Sequence, residues 1–381
     1  FQAHCESDEV DFAWEGSIAG LSDGTVVYSM TGRALRDFLR NRIGFCVLHP
    51  IHESAGKVCE VERSDGVPAQ LRFPRFIAPH HPFENIRSMT HQVTEGILAT
   101  VSFDGDTFET EDQRNWSDAS YKTYCTPLAL PFPVQLNEGA VVRQQVTLHF
   151  EGLEATKQAT RQPRKTPNRT VRGRWGATCK LPRLGLGVAC RAQELRTGEI
   201  KLLRELKLSH LRFDLHPASR TWQQAFEQAC REARAIQTSL YVALHLTGEA
   251  QVELEEVYRL ASEIDPSISA WLVFRKGEAV TSETWIKMAK SQLQTLTPQA
   301  RFSAGTDAYF VELNRGSFPV NVADMVSFSV NPQVHAFDDA SLIETLETQP
   351  QMVLTCQRLA TGLPVAVSPI TLKPRFNPDA T

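Results

Sequence analysis

The chain contains no C-x-x-C pair and no zinc-finger spacing, which excludes the usual thiol-redox and structural-zinc motifs. Its single G-x-S-x-G match, Gly20 to Gly24, falls on the turn signal Ser22-Asp23-Gly24 among β-type runs rather than between a strand and a helix, which argues against a serine nucleophile of the α/β-hydrolase type. No apolar run reaches about 18 residues, so no stretch reads as a membrane-spanning helix. Basic charge is not in excess: 40 Lys and Arg against 44 Asp and Glu leave a net charge of −4, which excludes an electrostatic nucleic-acid binder built on the whole chain. The first residue is Phe, and no basic-then-apolar leader follows it, so the chain is read as processed or as missing its true start.

What is present is ordinary globular composition, 42% apolar and 22% charged, over 381 residues, enough for two domains or more. The eight cysteines, at 5, 46, 59, 125, 179, 190, 230 and 356, are scattered. In a chain of this size they read as reduced core thiols and suggest a cytoplasmic protein.

The two halves have different periods. Residues 1–156 carry short alternating or β-branched runs, Thr25 to Tyr28, Ile43 to Leu48, Val58 to Arg63, Gly96 to Phe103 and Val141 to Phe150. Turn signals such as Asp65-Gly66 and Asp104-Gly105 lie among them, which predicts a β-sandwich-like domain. One patch, Thr31 to Asn41, reads as helical. Residues 157–183 hold nine Lys and Arg and no acid, with Pro163 and Pro167, and read as a basic linker.

From Leu184 to Thr381 the pattern is strand, then helix, repeatedly. Candidate strands begin near Leu184, His210, Ser239, Ala270, Arg301, Met325 and Pro364, spaced by 26, 29, 31, 31, 24 and 39 residues. Helical segments fill most of the gaps; strands five and six have only a short connection. Nearly continuous apolar strands between amphipathic helices mean a parallel sheet buried on both faces. Seven at this period predict a (β/α)₈ barrel whose last strand lies outside this sequence. A doubly wound sheet is disfavoured because Gly185 and Gly187 lack the third glycine of a phosphate-binding turn.

Barrel active sites lie at the C-terminal ends of the strands, so polar residues there are the candidates. Asp214 and His216 end strand two and lie two apart, which places both on one face. His245 ends strand three, Arg275 strand four, and Asp307 strand five, with Glu312 close behind. Asn331, Gln333 and His335 follow strand six, and Lys373 follows strand seven. Convergence of His216, His245 and His335 with Asp214 on a metal ion is a weaker reading, because no compact ligand motif supports it; the chemistry expected here needs no cofactor. In the β-rich half, Glu111, Asp112, Arg114 and Asn115 precede Trp116 in one dense polar stretch suited to sugar hydroxyls.

The stretches FETEDQRNWSDASYKTYCTPLALPFP (Phe108 to Pro133), GFCVLHP (Gly44 to Pro50), GTDAYFVELNR (Gly305 to Arg315), SFSVNPQVHAFDD (Ser327 to Asp339) and VSPITLKPRFNP (Val367 to Pro378) resemble D-apionate lactonases. The resemblance runs through both halves. It implies an N-terminal β domain, a TIM-barrel-like domain and a further C-terminal domain, with hydrolysis of D-apionolactone to D-apionate as the activity and a small sugar lactone as the partner. It carries no catalytic residues over, so roles rest on the residues themselves. A lactonase needs a base for water, for which Glu312 or Asp214 serves. It needs a cation for the oxyanion, supplied by Arg275, His335 or Lys373, and a proton shuttle such as His216. His245, Asp307, Asn331 and Gln333 join Arg275 and Lys373 in binding substrate. A glycoside hydrolase using a carboxylate pair, and a sugar-binding protein without turnover, are the alternatives.

Overall fold

The computed structural model describes residues 1–152, 180–189 and 193–372. The basic linker lies almost wholly outside the described residues, as do Lys373 and Arg375. The chain divides into two compact units: residues 1–114 with 119–173, and residues 115–118 with 174–381. No helix is long and apolar enough to cross a membrane.

The first unit holds thirteen strands among the described residues: β1 Gln2–Glu6, β2 Asp11–Gly20, β3 Val26–Ala34, β4 Phe38–Arg40, β5 Cys46–Pro50, β6 Val58–Arg63, β7 Pro68–Arg72, β8 Phe83–Thr94, β9 Ile97–Asp104, β10 Phe108–Asp112, β11 Ser120–Tyr124, β12 Val134–Leu136 and β13 Val141–Glu151. Eleven form one antiparallel sheet in the order β1-β2-β3-β13-β9-β8-β10-β11-β5, with β6 and β7 branching from β8; β4 and β12 pair separately. The sheet folds over on itself. Gln144 of β13 donates to Cys125 Sγ at 3.1 Å, just past β11, and accepts from the Phe45 amide at 3.0 Å, just before β5. Laid flat, five strand steps would separate β13 from β5 by about 24 Å. The enclosed core includes Phe73, Phe83, Ile86, Met89, Phe103, Phe108 and Tyr121.

Two expectations for this unit are corrected. The helical patch at Thr31 to Asn41 is the end of β3 followed by β4. Met30, Ala34 and Phe38 recur every fourth residue, a spacing that fits a helix face and also one face of an extended chain. Burial of Met30, Gly32 and Ala34 on alternate positions settles it as strand. The cysteines are not uniformly core residues. Cys59, Cys125, Cys230 and Cys356 are buried, whereas Cys5 and Cys46 are exposed, all as free thiols. The exposed pair lies on β1 and β5, the two end strands of the sheet order.

In the second unit, the strands β14 Gly185–Gly187, β15 His210–Leu215, β16 Ser239–Leu246, β17 Ile268–Arg275, β18 Arg301–Tyr309, β19 Met325–Val330 and β20 Val365–Ile370 form one parallel sheet in chain order. The helices between them run Thr197–Glu205, Trp222–Ile236, Ala250–Ile264, Glu283–Leu293, Phe310–Arg315, Asp339–Glu344 and Gln349–Leu359. The connection from β18 to β19 is the shortened one, with only the six-residue helix Phe310–Arg315.

The strands β16 to β19 are buried on both faces, and period 2 sorts them. Leu211, Phe213, Leu215, Val242, Leu244, Trp271 and Val273 pack outward with helix residues such as Phe226, Leu254, Val257 and Ile286. Tyr241, Ala243, Ala270, Leu272, Phe274 and Met325 form a separate inner cluster. The sheet is rolled into a barrel that lacks a ladder between β14 and β20 among the described residues. The inward-pointing Arg212 of β15 reaches across to β20, where its Nη1 donates to the Ser368 carbonyl at 3.0 Å. An open sheet would again hold strands five steps apart at about 24 Å. At Gly305, φ is +152° and a Cβ would lie 1.9 Å from the Ser327 carbonyl oxygen, so only glycine fits there. The register of β18 shifts between Gly305 and Tyr309, and this irregular end carries Asp307.

Candidate active site at the C-terminal end of the barrel

Strand alternation sends His210, Arg212 and Asp214 of β15 inward. His210 stacks on Tyr241 at 3.7 Å near the N-terminal end, and burial beside Arg183 and Arg212 pushes its imidazole down to about 4. Arg212 is 5% exposed and spends its guanidinium on three groups. Its Nη2 donates to Asp214 Oδ1 at 2.5 Å and to Asp307 Oδ1 at 3.2 Å, while its Nη1 holds Ser368. His245, inward at the end of β16, meets Asp214 Oδ1 through Nε2 at 3.2 Å. The His216 ring lies over the His245 ring at 4.1 Å and 19°, and Phe274 of β17 stands 5.3 Å from His245 on its other neighbour strand.

Burial alone would raise the Asp214 carboxyl, but the His245 hydrogen bond and the Arg212 charge outweigh it. Together they hold the group well below the usual carboxylate range. Asp214 is therefore ionised and can only accept hydrogen bonds. It follows that His245 donates through Nε2–H, so that Nδ1 is the nitrogen at which the ring can gain or lose a proton. The tautomer is fixed by the carboxylate, as in an oriented acid–base histidine. Asp214, His245 and Asp307 bring ligand atoms within 4.8 Å of one another, a set that an ion could use. Arg212 already supplies positive charge to both carboxylates of that set.

The remaining candidates on the barrel fall into two groups. Arg275, at the end of β17, lies with its guanidinium 5.0 Å from the Trp285 ring and donates to the Lys276 carbonyl. Glu312 sits half-buried in the first turn of the helix Phe310–Arg315, at the same end of the barrel as Asp214. Asn331 is buried, its side-chain oxygen accepting the Gln333 amide at 2.9 Å and its carbonyl accepting Ser117 Oγ at 2.8 Å. His335 is turned to Asp118 through Nδ1. The structure thus brings Asp214, His245 and Asp307 together, with His216 against them, and joins Asn331 and His335 to residues 115–118, with Gln333 bonded to Asn331.

The polar stretch before Trp116 is not a solvated loop. Glu111 faces Lys122 across the β10–β11 ladder, 3.6 Å apart. Asp112 and Arg114 are buried against one another, with two Arg114–Asp112 contacts at 2.8 and 2.7 Å. Arg114 also donates to the Pro74 and Arg75 carbonyls and to Tyr121 Oη. Those polar atoms serve the first unit's own interior. Asn115 belongs to the second unit, where its Oδ1 accepts Asn314 Nδ2 at 2.9 Å.

Residues that strand-end reasoning passed over are Arg212, Ser117, Asp118 and Tyr309. Arg212 had a signal: in His210-Leu-Arg-Phe-Asp-Leu-His216 every second residue is polar within an apolar strand, which marks a polar inner face. Asp118 had none, because its partner His335 is 217 residues away.

Two family models match the chain. The N-terminal domain of D-apionate lactonase matches residues 1–153, and the TIM barrel domain of D-apionate lactonase matches residues 184–381. The chain belongs to the D-apionate lactonase family. A D-apionate lactonase of Brucella anthropi is 32% identical over 391 aligned residues, which cover 99% of this chain and 63% of that protein. The chain thus spans less than two thirds of that relative's length. Among solved structures, similarity extends to a β-glucuronidase from Ruminococcus gnavus, at TM-score 0.29 and 8% identity, covering 94% of this chain and 53% of the other. A β-arabinopyranosidase matches at TM-score 0.25 and 8% identity, covering 80% of this chain and 57% of the other.

Proposed function

We propose that the whole protein hydrolyses a sugar lactone, opening D-apionolactone to D-apionate, at the C-terminal end of the barrel. The observation that carries this reading is the Asp214–His245 pair on the barrel's inner face, its carboxylate held ionised by Arg212. Family membership supplies the substrate class. The geometry supports a base that needs no nucleophilic serine.

In this reading His245 Nδ1 takes a proton from water as the water oxygen attacks the lactone carbonyl carbon. The carbonyl π pair moves onto oxygen, and a hydrogen-bond donor at the strand ends, His335 by position, stabilises that oxyanion; Arg275 is turned to Trp285 on the outer side of the sheet. Collapse re-forms the carbonyl and breaks the ring C–O bond. The imidazolium returns its proton to the departing alkoxide, and the carboxylic acid then ionises. Asp214 stays a carboxylate throughout and stabilises the imidazolium. Its depressed proton affinity suits it to orient His245 rather than to act as the base. Glu312 remains the second candidate base. His216 fits a proton relay against the His245 ring, and Asp307, Asn331, Gln333 and Lys373 are assigned to binding the sugar.

The glycosidase alternative pairs Glu312 with Asp214 or Asp307 as acid and nucleophile. Asp214 is held ionised beside Arg212, so in such a pair it can be the nucleophile and not the protonated acid. The test is incubation of the whole protein with a panel of aldonolactones and aryl glycosides, following acid release and phenol release in parallel. Acid release from D-apionolactone alone is expected. Phenol release without lactone opening would overturn the reading.

A further inference from the structure

Residues 115–118 interrupt the first unit in sequence but belong to the second in space. Their anchoring is specific. Ser117 is 2% exposed with φ at +71°, a left-handed conformation that costs a non-glycine residue free energy. Its Oγ donates to the Asn331 carbonyl at 2.8 Å, one residue past the end of β19. Asn314 Nδ2 donates to Asn115 Oδ1 at 2.9 Å, in a buried contact just past β18. His335 closes the far side through Asp118. Asn115 and Ser117, pinned on either side of it, hold Trp116 in place at the C-terminal ends of β18 and β19.

Trp116 is half-buried there. Its ring lies 5.9 Å from Tyr309, edge-on at 64°, and 6.4 Å from His335 at the same angle. Tyr309 is two residues beyond Asp307 on β18, about 7 Å along an extended strand. Asp307 is the residue that shares Arg212 with Asp214. One strand end thus joins the charged cluster to the aromatic one. A small sugar ring has polar edges and apolar C–H faces, so its recognition calls for this combination of an aromatic face and nearby charged groups. A tryptophan kept only for packing would not need a strained, doubly anchored backbone at a strand end.

We infer that Trp116 is a substrate-binding residue of the barrel site: its indole face packs against the C–H face of the sugar ring, while Asp118 positions His335 beside it. The inference rests on the sugar-lactone reading for the identity of the ligand, and on the anchoring of residues 115–118 for the identity of the residue. A platform of this kind contributes equally to ground and transition states, so it acts on affinity more than on the chemical step.

The experiment compares the whole parent protein with Trp116→Phe and Trp116→Ala. Calorimetric titration with D-apionate is run beside steady-state hydrolysis of D-apionolactone, with thermal melts to check folding. Loss of about tenfold in D-apionate affinity and a matching rise in KM are expected for Trp116→Ala, with kcat little changed and most affinity kept by Trp116→Phe. Unchanged affinity and KM in a folded Trp116→Ala protein overturn the inference, as does an equal loss in both variants. If the parent binds D-apionate through Trp116 but opens no lactone, the hydrolase reading falls and the binding residue stands. If the parent opens lactone and Trp116→Ala does so with parental KM, the reverse holds. A parent that neither binds D-apionate nor opens the lactone overturns both.

Discussion

Arg212 and His245 meet on a single oxygen of Asp214: Nη2 donates to Oδ1 at 2.5 Å and Nε2 approaches the same atom at 3.2 Å. One carboxylate oxygen thereby fixes a buried cation from its own strand and an imidazole from the next. If His245 is the base, His245→Asn removes the proton acceptor and lowers kcat by about 10²–10⁴-fold with KM little changed. Asp214→Asn leaves the imidazole but not its partner charge, and kcat is expected to fall with it. Parental kcat in His245→Asn, measured by acid release at saturating lactone, would remove His245 from the mechanism.

The depressed proton affinity of Asp214 sets a sign for stability against pH. A carboxyl whose folded value lies below its unfolded value of about 4 stabilises the fold fully above that pH. The contribution fades as pH falls below about 4 toward the lower folded value. The Tm difference between parent and Asp214→Asn should therefore shrink as the pH is taken below about 4. The side chain is 40% exposed, so solvent moderates the size of the effect. A difference that grows with acid would reverse the assignment.

His49 gives the first unit its own acid sensitivity. It is 3% exposed, bonded to Thr123 Oγ1 at 2.9 Å and edge-on to His91 at 5.5 Å, and burial with that neighbour pushes it down to about 3. The unfolded imidazole takes up a proton near pH 6.5 and the folded one does not, so stability falls as pH drops from about 6.5 toward 3. One such group contributes a slope of about 1.4 kcal/mol per pH unit. His49→Gln should flatten denaturant-derived stability between pH 6 and 4, at some cost at neutral pH. An unchanged slope would mean that the folded His49 protonates normally.

The barrel was readable in the sequence because several strands are nearly continuous apolar runs and the longer helices carry an apolar stripe, so spacing alone orders β14 to β20. The C-terminal strand ends followed, since parallel strands put them all on one side. Local pattern failed where two periods coincide, as at Met30, Ala34 and Phe38. It failed again where partners are remote. Arg114 looked like a ligand-binding cation in a polar loop, yet its acceptors include the Pro74 and Arg75 carbonyls, some 40 residues earlier. No local rule links Asp118 to His335 or Ser117 to Asn331, because those pairs exist only once the tetrapeptide lies on the barrel.

Glu312→Gln separates the two candidate bases. The substitution keeps the shape and hydrogen-bonding capacity of the side chain in the first turn of Phe310–Arg315 and removes its charge. With His245 as base, kcat is expected to stay within about tenfold of the parent. A loss of about 10²–10⁴-fold in kcat at unchanged KM would transfer the role to Glu312. Running the variant beside His245→Asn under identical saturating lactone makes the comparison internal.

Arg212 carries the heaviest structural demand. It is buried, it joins β15 to β20 through Ser368, and it supplies the positive charge that Asp214 and Asp307 share. Arg212→Met preserves much of the volume but leaves two carboxylates without their cation and the Ser368 carbonyl without its donor. Removing one partner of a buried ion pair costs about 3–5 kcal/mol, and the partial exposure of Asp214 places this case near the lower figure. Arg212→Lys restores the charge but not the fork. Nη1 and Nη2 serve different elements, and a single ammonium on a flexible stem cannot hold both. The lysine variant should therefore recover less than half of the lost stability in chemical denaturation, and kcat should stay reduced because Asp214 no longer fixes His245. Full recovery of stability and turnover by lysine would show that only the charge matters and that the bridge from β15 to β20 is incidental.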